Sequence, residues 1–140
     1  MSERLITLHE ANALIPRLEI IIEKLQRHSR ALREHVAEVA GVTGERPEDV
    51  TTPTLLELRP ALRPLVEDVE ALLAEIHGRG GQFKGLELGL VDFPAEIDGE
   101  VVLLCWQYGE KEIAYYHTIH AGFAGRKPLE SRTARPRYLQ

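Results

Sequence analysis

The sequence predicts an α+β protein in which a long antiparallel two-helix hairpin, coiled-coil-like, precedes a three-stranded antiparallel β-meander. Three observations lead there. Apolar residues recur at alternating spacings of three and four from Ala11 to Ile76, with one polar break; Gly78, Gly80 and Gly81 end that pattern; and beyond them the period shortens to two around an Asp98-Gly99 turn. Spacings of three and four draw one apolar stripe along a helix, whereas a period of two puts alternate side chains on one face of a strand.

The first helix opens at Thr7-Leu8-His9-Glu10, a capping box in which the Thr hydroxyl serves the amide three residues on and the Glu reaches back. Ala11, Leu14, Leu18, Ile21, Leu25, Leu32 and Val39, with His28 and His35 filling two slots, form an unbroken seam of the kind that winds against another helix. Pro16 predicts a kink or a restart early in this stretch. The segment from Gly41 to Pro47 is a polar loop. A second capping box, Thr54-Leu55-Leu56-Glu57, opens a second seam through Leu58, Leu62, Leu65, Val69, Leu72 and Ile76. Pro60 and Pro64 fall within it, so the uninterrupted part begins near Ala61.

In the meander, Leu86 to Phe93 reads as a strand that Pro94 ends or bends. Asp98-Gly99 is a type I′ hairpin turn, and Val101 to Tyr108 is a β-branched and aromatic strand. Gly109 to Glu112 turns the chain back into Ile113–Ile119. The first turn pairs Val91 with Trp106 and Phe93 with Leu104. A two- or four-residue second turn then puts Tyr115 and His117 on the face of Trp106 and Leu104, and Cys105 opposite with Tyr116. The Trp106 face is expected to pack on the helices.

The organisation is thus one domain, residues 1–129, with the hairpin over 7–79 and the meander over 86–120, then a basic tail at 130–140. The length of 140 residues fits a single core. One cysteine excludes a disulfide framework or a multi-thiolate zinc site. The absence of a signal-peptide core at Met1-Ser2-Glu3-Arg4, and of any span of about 18 apolar residues, points to a cytoplasmic protein without a membrane partner. The net charge of −5 conceals five basic residues and one acid from Arg126 to Gln140. That short segment, interrupted by Pro128 and Pro136, reads better as a solvated tail of an acidic body than as a nucleic-acid binding element.

Three blocks go further. They are Ile6-Thr7-Leu8-His9-Glu10-Ala11-Asn12-Ala13-Leu14-Ile15-Pro16; Gly89-Leu90-Val91-Asp92-Phe93-Pro94 with Leu104-Cys105-Trp106-Gln107-Tyr108-Gly109-Glu110; and Tyr115-Tyr116-His117 with Ala121 to Leu129. In this order they resemble the bacterial family catalogued as domain of unknown function 2203. The sequence departs from the usual pattern at His9, where an acid is commoner, and at Tyr116, where a tryptophan is expected. The resemblance implies no reaction and no cofactor.

Candidate residues concentrate in the meander. His117, beside two tyrosines, suits a metal ligand or general base, and equally a packed histidine donating to one carbonyl. Glu110 stands at a hairpin tip, and extending the first hairpin's register sets Glu87 opposite it. Paired carboxylates hold a divalent ion or share a proton, so Glu87, Glu110 and His117 are the metal candidates, with Asp92 as a further acid and His120 as an alternative to His117. The same register separates Glu110 from His117 by much of a strand unless the turn folds over. Asp92 either caps the next turn or binds a ligand, and Arg126 either receives an anion or lies over Trp106 as a cation–π partner. Asp92, Trp106 and Arg126 are the binding candidates. A Cys105–His117 dyad is not expected, because the pleat separates the two and an apolar strand disfavours the thiolate. His28 and His35 are read as register-setting seam residues.

No Ser-His-Asp pattern, Cys-x-x-Cys pair or His-Glu-x-x-His motif supports an enzyme. The leading expectation is a non-catalytic homo-oligomeric interaction module, most simply a homodimer in which two hairpins build a four-helix bundle, since two apolar stripes exceed what one hairpin covers. The alternative is a divalent-metal-binding protein, or metal-dependent enzyme, with its site in the meander.

Overall fold

The computed structural model describes residues 5–129. Helices come first and an antiparallel sheet follows, so the α+β class holds, but there are four helices and five strands rather than two and three. The basic tail expected at 130–140 lies outside the described residues.

The first cap forms as its residues dictate. Thr7 Oγ1 accepts the Glu10 N–H at 3.0 Å, and the Glu10 carboxylate accepts the Thr7 N–H at 2.9 Å. Helix α1 (Leu8–Ala13) ends at Leu14, and α2 (Ile15–Thr43) restarts with Pro16 in its first turn, where a missing amide hydrogen breaks nothing. Gly44, at φ 80°, closes α2 by donating to Ala40 O.

The second arm is not one helix. Its cap is Thr51, whose hydroxyl accepts the Thr54 N–H, and not Thr54 as the sequence pattern suggests. Helix α3 (Thr52–Leu58) stops before Pro60, a 3₁₀ turn spans Pro60–Leu62, and α4 (Arg63–Gly78) begins with Pro64 in its first turn. Each proline sits where a helix begins because only there is its lacking N–H harmless. The two-helix hairpin is therefore divided into short pieces.

The sheet runs β1 (Gln82–Gly85), β2 (Leu90–Ile97), β3 (Glu100–Gln107), β4 (Tyr115–His117) and β5 (Lys127–Pro128), each antiparallel to the next. The two unexpected strands are its edges: four residues carrying a glycine and a register shift, and two residues with a proline. Asp98 and Gly99 adopt φ 54° and 79°, the type I′ turn, and Val91–Trp106 and Phe93–Leu104 pair as expected. Pro94 does not end β2. Its carbonyl accepts the Ile6 N–H at 2.9 Å, which shows that its backbone edge faces away from β3, so its missing amide costs the ladder no bond.

The register of β4 departs from expectation. Cys105 pairs with Tyr115, Leu104 with Tyr116 and Leu103 with His117. Extended by two residues, this register sets Gln107 opposite Ile113 around a loop of odd length, so every side chain of β4 is on the face opposite to the one anticipated. Tyr116 joins Trp106 and Leu104, while His117 joins Cys105.

One sheet face packs on the helices. Trp106, Phe93, Val91, Leu104 and Val102 meet Leu18, Ile21, Ile22 and Leu25 of α2 and Leu72 and Ile76 of α4 in one cluster. Burial of each such side chain contributes roughly 1.5–3 kcal/mol. At 29 residues α2 overhangs the 16-residue α4, and its far end packs in a second cluster, Val39 with Leu55 and Val66. The sheet and α3 thus cover much of the two stripes inside one chain. Polar ties reinforce the layers. Arg17 grips both Glu75 oxygens at 2.6 Å, and with Arg79 it holds that carboxyl down to about 2. His28 meets Asp68 across α2 and α4, and Asn12 Oδ1 accepts the Ile113 N–H at 2.7 Å. Among the described residues, no helix is long and apolar enough to cross a membrane.

Candidate functional site

The sheet face turned away from the helices carries the chemistry. Pairing sets Asp92 of β2 directly opposite Cys105 of β3, and the β4 register brings His117 to the same face. Asp92 and His117 are each 3% exposed and Cys105 is 1% exposed; the first two are the buried polar residues among those described. Burying such groups is costly unless they are paired.

They are paired. His117 Nε2 lies 2.8 Å from Asp92 Oδ2, and His117 Nδ1 lies 2.8 Å from the Thr118 carbonyl. A carbonyl only accepts, so Nδ1 carries a hydrogen, and Nε2 and the Asp92 carboxyl share the remaining proton position between them. The donor atoms of Asp92, Cys105 and His117 all lie within 4.8 Å of one another. Burial, followed by the nearby Asp92 charge, pushes the Cys105 thiol up to about 11, with Arg126 partly opposing.

A cavity of about 270 Å³ adjoins the trio, walled by Leu90, Leu103, Lys84 and the returning segment with Ile119, Gly122 and Phe123. Arg126 ties that segment down. Its guanidinium meets Glu110 Oε2 at 3.0 Å, lies 3.9 Å from the Tyr115 ring centroid and 4.7 Å from that of Phe123, and points Nη1 at Cys105 Sγ from 3.8 Å.

Several candidates fall elsewhere than anticipated. Arg126 stacks on Tyr115 and Phe123, not on Trp106, because Trp106 faces the helices with its indole N–H donating to Glu110 O at 3.0 Å. Glu110 is held by Arg126 and by the Gln107 N–H, which its Oε1 accepts at 2.7 Å. Glu87 is exposed in the β1–β2 turn and His120 is exposed after β4. Of the three acids considered for a metal site, Asp92 reaches His117 while Glu87 and Glu110 do not, and Cys105 is the unanticipated donor. Asp92 is not a turn cap but the partner of that histidine. An even loop at the second turn would separate Cys105 from His117, whereas the odd loop of this chain brings them to one face.

The trio is not a thiol-activating dyad. Both imidazole nitrogens are engaged, by Asp92 and by Thr118, and the thiol pKa is raised rather than lowered. What the arrangement offers is one sulfur, one nitrogen and one oxygen converging beside a cavity.

Fold and site together define an α+β protein whose helical layer backs an antiparallel sheet with a buried Asp–Cys–His group on its other face. The chain belongs to the family described as Uncharacterized conserved protein (DUF2203), whose model matches residues 4–129. No curated protein and no solved structure matches it.

Proposed function

We propose that the protein binds one transition-metal ion of the zinc type through Asp92, Cys105 and His117. The observation that carries this reading is the bond from His117 Nδ1–H to the Thr118 carbonyl. Ligating histidines characteristically give their second ring N–H to a carbonyl or carboxylate, which fixes the tautomer and aims the other nitrogen at the metal. Here the other nitrogen is Nε2, aimed at the Asp92 carboxylate and near the Cys105 sulfur.

Charge supports the same reading. A divalent ion replaces the proton shared by Nε2 and Oδ2 and the proton of the thiol, leaving a thiolate, a carboxylate and a neutral imidazole. Two negative charges against a 2+ ion make a neutral assembly, which a buried site tolerates. The mixed sulfur, nitrogen and oxygen donors suit zinc and its neighbours, whereas calcium and magnesium take oxygen sets. Three protein ligands leave a fourth position for water or substrate, and the adjoining cavity supplies the space.

Cobalt(II) titration of chelator-treated protein tests this. A thiolate-to-cobalt absorption band that saturates near one equivalent, disappears in Cys105→Ser and weakens in His117→Ala is the expected result. No band, together with no zinc or other transition metal in protein purified without chelator, would overturn the reading.

A further inference from the structure

The two apolar clusters of the helical layer do not join. Leu25 belongs to the cluster beneath the sheet, Val39 to the one built with Leu55 and Val66. Between them α2 offers Leu32 and Val36, α4 offers Val69 and Leu73, and the chain after α4 offers Phe83 and Leu86, around a groove of about 470 Å³. That volume lies within the range of about 300–1,000 Å³ typical of small-molecule sites. Its lining positions on α2 run from Leu25 to Ala37, roughly 18 Å of helix, so the trough is long as well as apolar.

Ser29 and Arg33 are the polar side chains in the lining, and Arg33 is the charged one. Arg33 is exposed and makes no hydrogen bond or ion pair with the described residues. An apolar trough with one unneutralised guanidinium has a definite complement. We infer that the groove binds a free fatty acid, with its hydrocarbon chain along Leu32, Val36, Val69 and Leu73 and its carboxylate on Arg33, assisted by the Ser29 hydroxyl. Guanidinium and carboxylate match in a two-point fork, and the chain removes apolar surface from water. A second copy of this protein is a poorer complement. Pairing two such grooves about a two-fold axis buries Arg33 of each copy in one interface whose lining offers no acid to neutralise it. The inference is independent of the metal reading, because the groove is in the helical layer and shares no lining residue with the Asp92 cavity.

Calorimetric titration of the full chain with dodecanoate, below its micellar concentration, is the test. One-to-one binding is expected, at least ten-fold tighter than binding of dodecyltrimethylammonium. Arg33→Glu, an exposed position, should weaken dodecanoate at least ten-fold. Ala37→Trp, exposed at the groove wall, should abolish binding while leaving thermal unfolding nearly unchanged. Absence of binding overturns the inference, as does binding indifferent to headgroup charge or to Ala37→Trp. A dimer seen by light scattering that Ala37→Trp splits into monomers also overturns it, and would assign the groove to a second copy.

Discussion

Asp92 and His117 belong to strands that do not pair with each other, yet their carboxyl and imidazole meet at 2.8 Å across the intervening strand β3. The contact staples three strands on the face that the helices leave bare. Its neighbour Cys105 sits on that intervening strand, so the staple passes beside the thiol.

Truncating one end of the staple should cost more than altering it. Asp92→Ala leaves Nε2 of the buried imidazole without a partner, though Nδ1 keeps Thr118, and should lower stability by about 3 kcal/mol, read by urea unfolding of chelator-treated protein. Asp92→Asn keeps a polar partner, its amide N–H donating to Nε2 while Nδ1–H still serves the Thr118 carbonyl, and should cost about half as much. Equal losses for both variants would show that the contact adds nothing beyond side-chain volume.

The buried thiol predicts an alkaline limb. Its pKa is raised from 9.0 to about 11, so between those values the folded chain keeps a proton that the unfolded chain releases. Stability is full below the ordinary thiol value, falls as pH rises through about 11, and is level above it; the loss is at most about 3 kcal/mol. Unfolding of metal-free wild type and Cys105→Ala, compared from pH 8 to about pH 11, isolates this contribution from that of the tyrosines. Parallel curves would refute it.

Gly89 should tolerate no side chain. It has φ 67°, and a Cβ there would stand 2.6 Å from Tyr108 Cβ and 3.1 Å from Ile22 Cγ2. Gly89→Ala combines a left-handed backbone with a clash at the joint between sheet and α2, so a loss of about 2–4 kcal/mol is expected in the same unfolding assay. Gly109→Ala is the control, since its φ of 100° is also positive but nothing lies within 4 Å of the added carbon. It should lose less.

What was legible in the sequence was what short-range rules govern. Thr7 and Glu10 announce their cap because the motif is complete within four residues, and Asp98-Gly99 determines its turn and with it the pairing of β2 and β3. The division of the second arm is not legible, because an apolar stripe continues through Pro60 and Pro64 while the helix cannot. The site depends on the parity of one loop, the turn from β3 to β4. Glu110 folds back so that its carboxylate accepts from Gln107 and its carbonyl from Trp106, and such a loop has no composition that counts its residues in advance. A single-residue slip sent His117 to the other face, and with it the partnership of Asp92 and Cys105.

Trp106 and Cys105 are adjacent residues of β3 on opposite faces, and Trp106 is the single tryptophan of the chain. Its indole N–H rests on the carbonyl of Glu110, whose carboxylate restrains Arg126 beside the thiol. The protein therefore carries its own optical gauge. The sulfur is linked to the indole through one peptide unit and one hydrogen-bonded loop, so a metal ion bound as proposed is expected to shift the intrinsic emission, with no label attached.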